Sequence, residues 1–180
     1  MLPALLSINL DYSGMFIMKV LILPTLLGIS IGDRAVILTF IVNSFLIALV
    51  VMIHYEFLYR LTILMPKLTV RRQFRIVFGV LGALTAHAVE VWVFAVAYYF
   101  MHHSEGWGHL IGNFDGSLLA SVYYSLTAFT TLGFGDIEPF GDIRYLSGFE
   151  ALTGLVLITW TASFLFLEMQ RFWGSERHSH

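Results

Sequence analysis

The sequence predicts an all-α membrane protein in which a long apolar helix, a short helix, a glycine-bearing loop and a second long helix follow one or two further spans. Three observations predict it. Of 180 residues, 58% are hydrophobic and 12% charged, where soluble domains carry about 25% charged residues. Three runs reach the roughly 20 apolar residues that a helix needs to cross a bilayer: Ala35–Leu61, Phe74–Met101 and Tyr145–Met169. Between the last two, Ser117–Phe129 (SLLASVYYSLTAF) is apolar enough to be buried but too short to cross, which is the length of a core or re-entrant helix.

In chain order, Met15–Ile31 is the first apolar stretch, broken by Lys19 and Pro24. It has room to span, to lie in the interface, or to act as a short signal-like segment. Ala35–Leu61 follows, and residues 1–70 read as an N-terminal membrane region ending in a cytoplasmic linker. Arg60, Lys67, Arg71, Arg72 and Arg75 collect between the first and second strong spans, and Arg171 and Arg177 follow the third. That excess of basic residues marks both places as cytoplasmic. The short helix and its loop then face outward, where Glu105, Asp115, Asp136, Glu138 and Asp142 gather. Gly112, Asn113, Asp115, Gly116 and Ser117 supply loop and N-cap residues ahead of the short helix. Residues 71–170 form the second region and 171–180 a short cytoplasmic tail. The chain is expected in a cell membrane, plasma or inner, as a multi-pass protein in contact with the lipid bilayer.

Composition excludes several classes. With no cysteine, there is no disulfide framework, thiolate nucleophile or cysteine metal site. No nucleic-acid partner is expected, because the basic cluster is short and sits beside an apolar span. A net charge of −2 says little, since in a membrane protein the position of each charge matters more than the sum. No internal repeat is visible, so any symmetric assembly needs several chains.

The stretch TAFTTLGFGD, Thr127 to Asp136, is the unusual one. Non-helical backbone at membrane depth survives only where protein buries it or where it lines a watery cavity. Glycine reaches positive φ without steric penalty, so Thr131-Leu132-Gly133-Phe134-Gly135 can point successive carbonyls to one side. Rings of such carbonyls can replace the hydration shell of an ion. The Thr131 hydroxyl would add a further ring at the inner end, with Phe134 packed behind. YYSLTAFTTLGFGDIEP resembles the pore-helix and filter signature of potassium channels, T-x-G-[YF]-G-D.

That resemblance implies an outer helix–pore helix–filter–inner helix module over Phe74 to Met169, assembled as a homotetramer around a central pore. It implies passive, potassium-selective conduction, with K+ held at Thr131, Leu132, Gly133 and Phe134 and no other cofactor. Tyr123 and Tyr124 match the aromatic pair that braces the filter, Asp136 the acid at the outer mouth, and Gly154 the hinge glycine of the inner helix. Phe134 departs from the commoner tyrosine, and Thr127 stands where some members pair a carboxylate with the mouth acid. Near Phe129 and Thr130, the pore-helix C-terminus would turn a partial negative charge toward the cavity. The alternatives are a weakly selective monovalent cation channel, which usually loses the second glycine or the aromatic residue, and a potassium transporter subunit, which usually fuses four degenerate copies in one chain. An intramembrane enzyme built on His54, His87 and Glu90 lacks a nucleophile or ligand spacing.

Ionisable residues inside spans mark functional candidates. His87 and Glu90, three apart on one helix face, read either as a proton sensor or metal site or as a hydrogen-bonded pair orienting the outer helix against the pore helix. The pair is the simpler reading, because two side chains make a poor metal site. Glu150 is expected to bond a hydroxyl such as that of Ser125 or Thr127, or to pack protonated. His102, His103 and His109 read as a solvated loop or as an external pH or zinc sensor. His54 and Glu56 are expected to snorkel at the cytoplasmic end of their helix. Trp92, Trp107, Trp160 and Trp173 serve for packing or interfacial anchoring. No helix carries arginine at every third position, so no voltage sensor is expected. The roughly ten residues after Met169 are too few for a ligand-binding domain.

Overall fold

A computed structural model describes residues 31–67 and 72–174. The candidate segment Met15–Ile31 (but for its last residue), Arg71 and the end of the tail lie outside the described residues. Helix α1 runs Ile31–Leu64 and ends in a single 3-10 turn, Met65–Lys67. Helix α2 is Arg72–His103, the short α3 is Leu118–Phe129, and α4 is Ile143–Gly174. Val36–Lys67, Phe74–His103 and Ile143–Arg171 are long and apolar enough to cross a membrane. At 1.5 Å per residue each is about 44–48 Å long, more than the roughly 30 Å hydrocarbon core. Each therefore tilts or projects beyond it.

The chain divides into two compact units, Met1–Ile41 and Val42–His180. Among the described residues the first holds the opening turns of α1, with Val36, Leu38, Phe40 and Ile41 exposed. In the second unit, α2, α3 and α4 pack on one another around Phe94, Tyr98, Phe129, Leu146 and Leu157, all buried. Val50 of α1 joins this cluster. The outward faces stay apolar as well, as Trp92, Phe100, Leu152 and Phe166 illustrate. Helices that are hydrophobic all round belong in lipid or against further protein.

One feature departs from a purely helical reading. His109–Gly112 (β1) pairs antiparallel with Ile137–Phe140 (β2), in the register His109 with Phe140 and Gly112 with Ile137. The ribbon extends through Asn113 N–H, which donates to the Asp136 carbonyl at 2.8 Å. It joins the segment entering α3 to the segment leaving the glycine loop. Ile143 N–H donates to the Trp107 carbonyl at 3.0 Å, which anchors the start of α4 to the same structure.

Candidate functional site

Helix α3 positions the glycine loop, and its two ends are fixed differently. At the N-terminus, Ser117 has extended backbone (φ −78, ψ 157) and its Oγ accepts from Ala120 N–H at 3.0 Å. That satisfies one of the amides a helix start leaves unpaired. Asp115 Oδ1 accepts from Ser117 N–H at 2.9 Å. The Ser117 hydroxyl and amide together hold the Asp115 carboxyl below its usual range. At the C-terminus the loop folds back on the helix. Thr131 N–H donates to the Ala128 carbonyl at 2.9 Å, and Leu132 and Gly133 N–H both donate to the Thr127 carbonyl, at 2.9 and 3.2 Å. The Thr130 hydroxyl also turns inward, to the Leu126 carbonyl at 2.7 Å.

With its first amides engaged in α3, the loop alternates in the sign of φ. Thr131 (58°), Gly133 (49°) and Gly135 (78°) are positive, while Leu132 and Phe134 are not. A β-branched residue at positive φ is an outlier, and strain of that kind costs on the order of 1–3 kcal/mol. A Cβ added at Gly133 or Gly135 would meet nothing within 4 Å in the chain itself. Glycine is required there by backbone angle rather than by local crowding. All five residues Thr131–Gly135 are exposed in the single chain, Leu132 at 59% and Phe134 at 64%.

Supporting contacts surround the loop. Tyr123 O–H donates to Asp136 Oδ2 at 3.0 Å, and its ring stacks on Phe134 at 6.4 Å and 5°. Tyr123 is thus a partner of Asp136 across the loop. The Thr127 hydroxyl instead donates to the Tyr124 carbonyl at 2.8 Å. Tyr124 Oη lies 2.7 Å from Ser147 Oγ on α4. Of the two hydroxyls expected for Glu150, it meets Ser125: Ser125 Oγ is 2.5 Å from Glu150 Oε1 and 2.9 Å from the Val91 carbonyl. Tyr98 O–H donates to Glu150 Oε2 at 2.5 Å. Ser125, Tyr98 and Glu150 are all fully buried, so one carboxyl joins α2, α3 and α4. Gly154 sits against the end of α3, where an added Cβ would lie 2.1 Å from the Phe129 carbonyl oxygen. That position is a close contact between helices.

His87 and Glu90 do meet, through His87 Nδ1 and Glu90 Oε2 at 2.9 Å, but not as a closed pair. His54 Nδ1 lies 2.8 Å from the other oxygen, Glu90 Oε1. His54 does not snorkel: it is fully buried, turned toward α2 because the carboxylate there needs a second partner. Glu56 is exposed and accepts from Arg60 at 2.6 Å. Thr161 Oγ1 of α4 is 3.1 Å from His87 Nε2 and 3.5 Å from His54 Nε2. The expected contact of His87 with α3 is made by its ring, which lies against Phe129 at 5.7 Å. Thus α1 and α4 join the His87–Glu90 pair that the sequence places on α2, where His54 groups with them only as an enzyme site lacking a nucleophile. No motif marks His54, which lies 36 residues from Glu90; its only signal is an imidazole within an apolar run. On the outer side, His102 Nδ1 accepts from Leu110 N–H at 3.1 Å and His103 Nδ1 donates to the Tyr99 carbonyl at 2.8 Å. His102 thus serves the fold of the loop, and His103 bonds within the last turn of α2.

A family model described as an ion channel matches residues 86–171, from the middle of α2 to near the end of α4. No curated protein and no solved structure matches the chain. Fold and match together define the class: a helical membrane protein whose residues 86–171 match an ion-channel module.

Proposed function

We propose that the protein is a potassium-selective channel, conducting passively through a pore formed by four copies of the chain. The observation that carries this reading is the alternating backbone of Thr131–Gly135, whose first amides are bonded into α3. With the Thr131, Leu132 and Gly133 N–H groups turned back, the carbonyls of this stretch are left to face an ion, and alternation of φ lets successive ones share a side. Thr131, Leu132, Gly133 and Phe134 then supply the oxygens that stand in for water around K+. Phe134 packs back on Tyr123, and Asp136 draws cations to the mouth, an attraction that salt screens. One strand offers a quarter of a ligand ring, and the exposure of Leu132, Phe134 and Leu126 fits faces covered by neighbouring copies.

The inner lining follows from helical spacing. Leu152, Val156, Thr159 and Ser163 share one face of α4, and all four are exposed. Recording from the purified protein in planar bilayers, first in potassium and then in sodium, tests the reading. The reversal potential should follow the potassium gradient. Equal permeability to sodium would make the protein a weakly selective cation channel, and the absence of any cation current would remove the proposal.

A further inference from the structure

We propose that His54, His87 and Glu90 form a binding site for one divalent transition-metal ion of the zinc class, shared by α1 and α2 within the membrane-spanning region. Among the described residues, this is the group of three ligand-type side chains whose donor atoms converge, all within 4.8 Å of one another. The donor set is two imidazoles and a carboxylate. Imidazole favours zinc, cobalt, nickel and iron over potassium, magnesium or calcium, so the permeant ion is not a competitor. Two histidines and a glutamate leaving one position open is an established zinc arrangement.

The hydrogen count points the same way. An ionised Glu90 only accepts, so with no metal both Nδ1 atoms must carry hydrogen to reach its two oxygens. Both Nε2 atoms then present lone pairs to Thr161, whose hydroxyl has a single hydrogen. One imidazole is left short unless the cluster takes up an extra proton. A metal ion removes the shortage. The Nδ1 lone pairs and Glu90 go to the ion, and both Nε2–H groups donate to Thr161 Oγ1, which has two lone pairs to accept them. Ligating histidines characteristically donate their second nitrogen to an oxygen in this way, which fixes the tautomer. Thr161 is thus a positioning residue, contributed by α4.

Space and access fit as well. Ligand atoms around a tetrahedral zinc lie roughly 3.3 Å apart, given bonds of about 2.0–2.1 Å; the present spread of 4.8 Å therefore closes by small rotations of the rings. His54 and Glu90 side chains are fully buried, but His87 retains 16% exposure. His87 lines a cavity of about 390 Å³, together with Leu126, Phe129, Thr130 and Ile158. An entering ion would meet His87 first. His54 lies outside the stretch that matches the ion-channel family, so the site would tie the peripheral helix to that module.

The test uses the full-length protein in lipid nanodiscs, stripped with chelator and dialysed against zinc. Close to one zinc per chain should be retained, and X-ray absorption at the zinc edge should show two imidazoles with oxygen filling the shell. His54→Ala, His87→Ala and Glu90→Gln should each weaken retention by roughly 100-fold or more, and Thr161→Val by roughly 10–100-fold. Replacing His109 together with His178 and His180 should leave zinc retention unchanged. A wild-type protein that retains no zinc, or holds it with other than two imidazoles, overturns the proposal, as does retention by a His54→Ala protein of normal particle size. The wild-type spectrum decides the matter even where a variant fails to fold.

Discussion

Thr131 carries the clearest conflict between local preference and observed geometry. A β-branched residue held at φ 58° persists only where its surroundings over-determine it, and here the bond from its amide to Ala128 does so. Barium has nearly the radius of potassium but twice the charge, so oxygens arranged for potassium should hold it too tightly to release. Thr131→Cys exchanges a hard oxygen for a soft sulfur and should weaken barium block about tenfold, one ligand ring being lost. Equal sensitivity in both proteins would remove Thr131 from the inner site. Gly135→Asp tests the outer end, because it puts a side chain at φ 78°. The current should vanish or admit sodium while the assembled particle survives on a sizing column. An unchanged reversal potential would contradict the filter assignment.

At the scale of elements, α3 is held from both ends and from behind, and each hold gives a measurable effect. Ser117→Ala removes the N-cap and should cost about 1 kcal/mol of stability, read as a lowered melting temperature in detergent. Asp115 adds a pH dependence. Its folded-state carboxyl is depressed relative to the unfolded chain. Its contribution is therefore complete above the ordinary carboxylate range and is lost as pH falls through the depressed value. Melting temperature should hold on acidification to about pH 4, fall below it, and fall less in Asp115→Asn. Behind the helix, Glu150 binds Ser125 and Tyr98. Gln offers a donor and an acceptor and should assemble normally. Leu removes the acceptor that Ser125 and Tyr98 share, leaving them only the Val91 carbonyl and Ser147 Oγ; losing such buried bonds costs about 1–3 kcal/mol and should lower the melting temperature of the assembly.

These elements also divide what the sequence discloses from what it hides. The three long spans and the short helix emerge within a few residues of their observed ends, since length and hydropathy alone decide them, and Ser117 stands at the expected cap. The Ser125 contact of Glu150 was legible because both residues sit on adjacent helices at matching depth. Tyr98 on the same carboxyl, 52 residues away, was not, because tyrosine in an apolar helix carries no mark of its partner. The ribbon escaped for another reason: HLIG and IEPF are four residues each, too short to show alternation.

For the whole molecule, the apolar surface left open around the glycine loop and along α4 sets the expectation of association. Cross-linking in mild detergent should stop at four chains, and a monomer that still conducts would overturn the pore. The buried contact between Glu90 and His54 has a consequence for how such a molecule is made. A carboxylate near the middle of α2 costs about 2.5–3.5 kcal/mol when that helix enters the bilayer by itself. His87 on the same helix meets one carboxylate oxygen, and His54, which arrives first from the ribosome on the preceding helix, meets the other and lifts the remaining cost. Helices α1 and α2 would then leave the translocon as a hairpin, already paired. The peripheral helix would act as the insertion chaperone of α2, which packs against the helix that carries the loop.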